Sequence, residues 1–148
     1  MPMQAYPWLV VVHLMVAIAF AGTVFFEVVV LEGVRRHLPG RVVALVEGAI
    51  GTRARRVMPW VLLALYGSGL SLAWHHRSAL APVSGSFGTL LAIKILLAAS
   101  VFAHFLLAMA LQRSRRLAGR VSRILHLSVF VHVLAIVLLA KAMFFVHW

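Results

Sequence analysis

The sequence predicts an all-α integral membrane protein: a four-helix transmembrane bundle forming a single domain over residues 1–148, with both termini on the outer, periplasmic side. Composition is the first reason. The chain of 148 residues is 64% hydrophobic and 11% charged, with a mean hydropathy of +1.03, which leaves too little polar side chain to cover a water-soluble domain. The second is that four apolar runs, at about 7–34, 57–74, 87–111 and 124–146, approach or exceed the roughly 20 helical residues that cross a hydrocarbon core. The third is the placement of the twelve arginines, all outside the centres of those runs.

Helix 1 begins near Pro7 and carries HLMVAIAFAGTVFFE, with His13 at one end and Glu27 at the other. A cleavable signal peptide would need a basic start, a shorter apolar core and a small-residue cleavage site, and the segment is read instead as a retained span. Six arginines (Arg35, Arg36, Arg41, Arg53, Arg55, Arg56) separate it from helix 2, five (Arg113, Arg115, Arg116, Arg120, Arg123) separate helices 3 and 4, and Arg77 alone lies between helices 2 and 3. By the positive-inside rule the two rich loops are cytoplasmic, so the net charge of +11 marks topology and a grip on anionic headgroups, and nucleic acid is not expected as a partner. These features place the chain in a bacterial inner membrane as a multi-pass protein.

In the first of those loops, RVVALVEGAIGTRARR (41–56) repeats apolar residues at helical spacing between basic ends, the pattern of a short helix lying flat in the interface. Helix 2 opens at Pro59 and carries Gly67, Ser68 and Gly69, small residues that let a neighbouring backbone or a flat ligand come close. Residues 77–88, with Pro82, Gly85 and Gly88, read as irregular turn. Trp8, Trp60, Trp74 and Trp148 fall at the expected helix ends, where indole rings favour the headgroup level. No repeat of 20–50 residues is evident, and the two two-helix halves are only weakly alike.

Absence of cysteine removes disulfides, thiolate metal sites, iron–sulfur clusters and c-type haem attachment. Ionisable side chains inside hydrocarbon cost several kcal/mol unless paired, ligated or hydrated, which singles out His13, Glu27, Lys94, His104, His132 and Lys141. At 1.5 Å per residue, His13 lies about 9 Å and Lys94 about 10 Å below the outer face, while His104, about 25 Å down, shares the inner half with His132. Two histidines from different helices at one depth are the arrangement that clamps a flat macrocycle through its iron, which makes His104 and His132 the candidate metal ligands. Lys94 is too deep to snorkel easily and suits proton exchange with a substrate or a bond to a propionate. Lys141 is shallow enough to snorkel, and Glu27 suits either an ion pair with a loop arginine or a proton-input role. His37, His75, His76, His126 and His147 read as interfacial. Met15, Met58, Met109 and Met143 read as core filler ahead of copper ligation.

His13 followed by Phe20, Ala21 and Gly22, the proline opening RRVMPWVLLALYGSGL, and Ile93, Lys94 and His104 in helix 3 together resemble the related HemJ and CopD-like families of small four-helix membrane proteins. In HemJ-type proteins, which are protoporphyrinogen IX oxidases that bind haem b, a helix-1 histidine and a helix-3 lysine are essential. The resemblance therefore implies catalytic roles for His13 and Lys94 and binding of haem b; taken with the depth layers, the cofactor-binding set is His13, His104 and His132, with one or two haem groups. Helix 4 opens with HLSVFVHV (126–133), where HemJ-type proteins carry asparagine, glutamate, valine and proline, and the helix-2 opening is closer to the CopD-like pattern. Copper transport or resistance is thus the alternative, and a non-catalytic subunit of a larger membrane complex is a third. The expected function is a membrane haem-b redox protein acting in electron transfer or tetrapyrrole oxidation, with a tetrapyrrole or quinone as substrate and a redox partner or second copy as associate.

Overall fold

The computed structural model describes residues 5–80, 85–114 and 119–146, and every regular element among them is helical. The expectations for Pro82, Arg115, Arg116, His147 and Trp148 lie outside the described residues. Four helices are long and apolar enough to cross a membrane, and the chain is read as a multi-pass membrane protein. Lipid offers no partner for a backbone N–H or C=O, so even valine-rich stretches such as Val10–Val12 stay helical, because only a helix satisfies each peptide group within its own segment. The chain divides into two compact units, residues 1–75 and 76–148, each a helical hairpin.

In the first hairpin, α1 (Ala5–Phe25) passes without a break into a π-helical segment, Phe26–Leu31, and then into α2 (Glu32–Arg35). Glu27 sits on the wider π turns. A tight turn follows, in which the Val34 and Arg35 carbonyls accept from His37 and Leu38. The Pro39 carbonyl then accepts from Val42 and Val43 and starts α3. That helix runs from Gly40 to His75 without interruption.

Two expectations are corrected here. The amphipathic segment 41–56 is not a separate flat helix; it forms the first half of α3, a rod of 36 residues or about 54 Å. Pro59, read as a helix opening, lies inside that rod. Its ring removes one N–H and leaves the Arg55 carbonyl without a helical donor, a defect that membrane helices tolerate. For the same reason Trp60 is a mid-helix residue, whereas Trp8 and Trp74 do lie in terminal turns.

The hairpin is held in one antiparallel register. At one end Tyr6 stacks on His75, with ring centroids 5.2 Å apart. Seven residues further along α1, His13 meets Ser68, seven residues back along α3. At the other end Arg35 bridges Glu32, at 2.7 Å, and Glu47 of α3. Val24, Leu31 and Leu62 are buried, while Leu14, Ile18, Leu63 and Leu70 are exposed, as lipid-facing side chains are.

The second hairpin starts with one turn, α4 (Arg77–Leu80), so part of the stretch read as irregular is helical. Gly85, at φ +66°, begins α5 (Gly85–Arg113) in a conformation that a side chain would strain. Helix α6 (Gly119–Ala142) returns antiparallel along α5. The Phe87 ring lies against Phe144 at 6.1 Å and against His76 at 5.6 Å, closing one end. Leu91, Val101 and Met143 are buried.

Candidate functional site

Each hairpin carries a histidine–serine arrangement on its apolar helices, and the two are wired differently.

In the first, His13 of α1 lies with Nδ1 3.0 Å from Ser68 Oγ of α3. The buried Ser68 hydroxyl has one hydrogen, which goes to the Ala64 carbonyl at 2.6 Å, with the Leu65 carbonyl at 3.1 Å. The serine therefore has only lone pairs to offer, and His13 Nδ1–H is the donor. In the neutral ring this makes Nε2 the nitrogen that bears the lone pair. Gly69 supplies the room: a Cβ there would stand 3.6 Å from His13 Nδ1 and 3.2 Å from Cε1, the second close enough that the ring would have to give by a few tenths of an ångström. Gly67, one position before Ser68, has nothing within 4 Å of where its Cβ would be. Of the glycines read as points of close approach, Gly69 admits the imidazole of the facing helix and Gly67 does not.

In the second hairpin the serine bonds run the other way. His104 Nδ1–H donates to the Ser100 carbonyl one turn back on α5, at 2.7 Å, and His132 Nδ1–H donates to the Ser128 carbonyl on α6, also at 2.7 Å. A carbonyl can only accept, so both rings are Nδ1–H tautomers when neutral. Each Nε2 receives a hydroxyl hydrogen from the opposite helix, His104 from Ser128 at 2.9 Å and His132 from Ser100 at 3.1 Å. The ring centroids are 5.3 Å apart. Four hydrogen bonds thus close a reciprocal clasp across the α5–α6 seam, as buried polar groups away from water require.

The sequence reading placed His104 and His132 together by depth but missed Ser100 and Ser128. The signal was available: residues 100–104 read SVFAH and residues 128–132 read SVFVH, a five-residue match recurring 28 residues on, too short to mark a repeat architecture. Because the helices are antiparallel, the repeat pairs with itself, and each Ser-x-x-x-His supplies both a carbonyl for its own histidine and a hydroxyl for the other.

Lys94 lies half-buried on α5, ten residues or about 15 Å before His104. His13 belongs to the first hairpin and Lys94 to the second. Glu32 and Glu47 are the partners of Arg35, a three-residue ion pair that the sequence reading, with its attention on Glu27, did not find. Lys141 is exposed in the last turn of α6, as is His126 on the same helix. Within neither hairpin do three His, Asp or Glu side chains gather into one donor set, among the described residues.

No family model, curated protein or solved structure matches the chain.

The fit of these residues to a haem iron follows from their own hydrogen bonds. A histidine that ligates a metal commonly donates its other ring N–H to an oxygen, which fixes tautomer and ring plane. His13 meets that condition through Ser68, on a ring seated against a glycine. His104 and His132 also have Nδ1 fixed, but both Nε2 lone pairs hold serine hydrogens and are directed to opposite helices. As placed, that pair does not converge on one iron.

Proposed function

We propose that the chain is a haem-b redox protein of the HemJ/CopD-like type, acting in electron transfer or in oxidation of a tetrapyrrole such as protoporphyrinogen IX. The observation that carries this reading is the seat of His13, whose Nδ1–H is tied to Ser68 and whose Nε2 bears the lone pair. Haem, when bound, supplies one-electron redox chemistry. His13 Nε2 would hold the iron, and Gly69 leaves room for the imidazole against α3. For Lys94, the helix-3 lysine of the resemblance, the role implied by that resemblance would be bonding a propionate or exchanging a proton with a substrate. His104 and His132 act as a helix clasp, since iron there requires both serine bonds to open. The membrane arrangement proposed with this is both termini outside and the arginine-rich connections at the anionic inner leaflet of a bacterial inner membrane.

The test is a spectrum of the full chain in detergent, oxidised and then dithionite-reduced. A Soret band with split reduced α and β bands is expected, lost in His13→Ala and retained in His104→Ala and His132→Ala. A colourless protein that binds copper stoichiometrically overturns the reading. Loss of the band in the two clasp variants, but not in His13→Ala, moves the iron to the second hairpin. Reporter fusions at the termini and in the Arg41–Arg56 segment check orientation, with reporters active only outside the membrane expected to work at the termini alone.

A further inference from the structure

We infer that Ser68 is a positioning residue for His13, which selects the imidazole tautomer and tunes its strength as a ligand. The inference rests on the proposed role of His13, and it concerns bonds that exist without haem. Ser68 lies between two partners in a directional chain: its hydroxyl donates to the Ala64 carbonyl at 2.6 Å, and its oxygen accepts from His13 Nδ1 at 3.0 Å. A serine on an exposed helix face makes the first bond alone, as Ser71 does with the Gly67 carbonyl. Ser68 instead couples that back-bond to a ring on the facing helix.

Two consequences follow from the order of the chain. The serine cannot turn its hydrogen toward His13 without giving up the Ala64 bond, so the opposite tautomer, with Nε2–H, leaves Nδ1 facing an oxygen lone pair. The bond also polarises the ring: an N–H held by an acceptor makes the far nitrogen more electron-rich. That raises its basicity toward iron and favours the oxidised metal. Gly69 completes the device, because a methyl group 3.2 Å from Cε1 would push the ring off the serine.

The experiment uses the full chain in detergent at one pH, labelled with 15N-histidine, with the His13 signals assigned by their disappearance in His13→Gln. The wild type is expected to have Nδ1 protonated and Nε2 unprotonated. Ser68→Val, which keeps the shape of threonine without its hydroxyl, is expected to shift His13 to a tautomer mixture or to Nε2–H, and Ser68→Thr to restore the wild-type pattern. Ser68→Ala provides the same comparison in a smaller side chain if valine does not fold. In haem-loaded protein the midpoint potential is expected to rise in Ser68→Val and return in Ser68→Thr. An unchanged tautomer in both Ser68→Val and Ser68→Ala overturns the inference, as does a Ser68→Thr chain that stays shifted. A chain that takes up no haem yet changes tautomer as described sustains the role of Ser68 and overturns the haem reading alone.

Discussion

The two hairpins use the same residue types, histidine and serine across an antiparallel helix pair, and obtain different chemistry from them. In the first, the serine's hydrogen is already committed to Ala64, so the serine accepts from Nδ1 and the lone pair stays on Nε2. In the second, the histidines satisfy Nδ1 on their own helix and the serines are left to donate into Nε2. What decides the role of a buried histidine is therefore the second bond of its partner, one step further out than the pair itself. The contrast also separates the two sites: in one the serine leaves the Nε2 lone pair in place, and in the other it spends that lone pair on holding the helices together.

The sharpest way to break this comparison is the haem spectrum, where the expected effect is all or none: His13→Ala removes the Soret band and the clasp variants keep it. The next effect is on stability. Ser100→Ala combined with Ser128→Ala strips the hydrogen from both clasp nitrogens. It should cost about 1–3 kcal/mol, toward the lower end because side-chain bonds between membrane helices average roughly 0.6 kcal/mol each. Reversible unfolding in mixed micelles measures this. A third and smaller effect separates the glycines. Gly69→Ala should lose about 1 kcal/mol from overpacking against His13, whereas Gly67→Ala should be neutral or gain up to about 1 kcal/mol from helix propensity. The smallest is at the far end of the first hairpin, where Glu47→Gln removes one of two carboxylates from a partly exposed arginine and should cost about 0.2–1 kcal/mol, diminishing with added salt.

The four spans were legible because lipid imposes a simple rule: long apolar runs must be helices, and neither patterning nor caps need be read. The same rule hid the continuity of α3. Pro59 and the arginines before it carry the marks of a helix start in water, yet inside a membrane protein a proline within a helix is admissible, so the local signs were right for the wrong setting. The π-helical turns at Phe26–Leu31 left no mark among valines that suit any apolar helix. At the sites, counting depth was enough to bring His104 and His132 to one level, since rise per residue is fixed. Their serines were passed over because small hydroxyls are cheap in a membrane helix and draw no notice. Ser68 was noticed for its size, as one of three small residues; that its hydrogen is committed to Ala64 is a matter of rotamer, which only coordinates reveal.

The shared register of the first hairpin bears on which insertions and deletions the chain can absorb. Tyr6 on His75, His13 on Ser68 and Arg35 on Glu47 are fastened along one pair of rods. One residue added to α1 between Tyr6 and His13 turns everything on one side of it by about 100° and slides it about 1.5 Å, so at least one fastening must open. Length can change without that penalty only outside the stretches that these contacts bracket. Among relatives that keep these contacts, the spacing of His13 from Tyr6 and of Ser68 from His75 should be fixed to the residue.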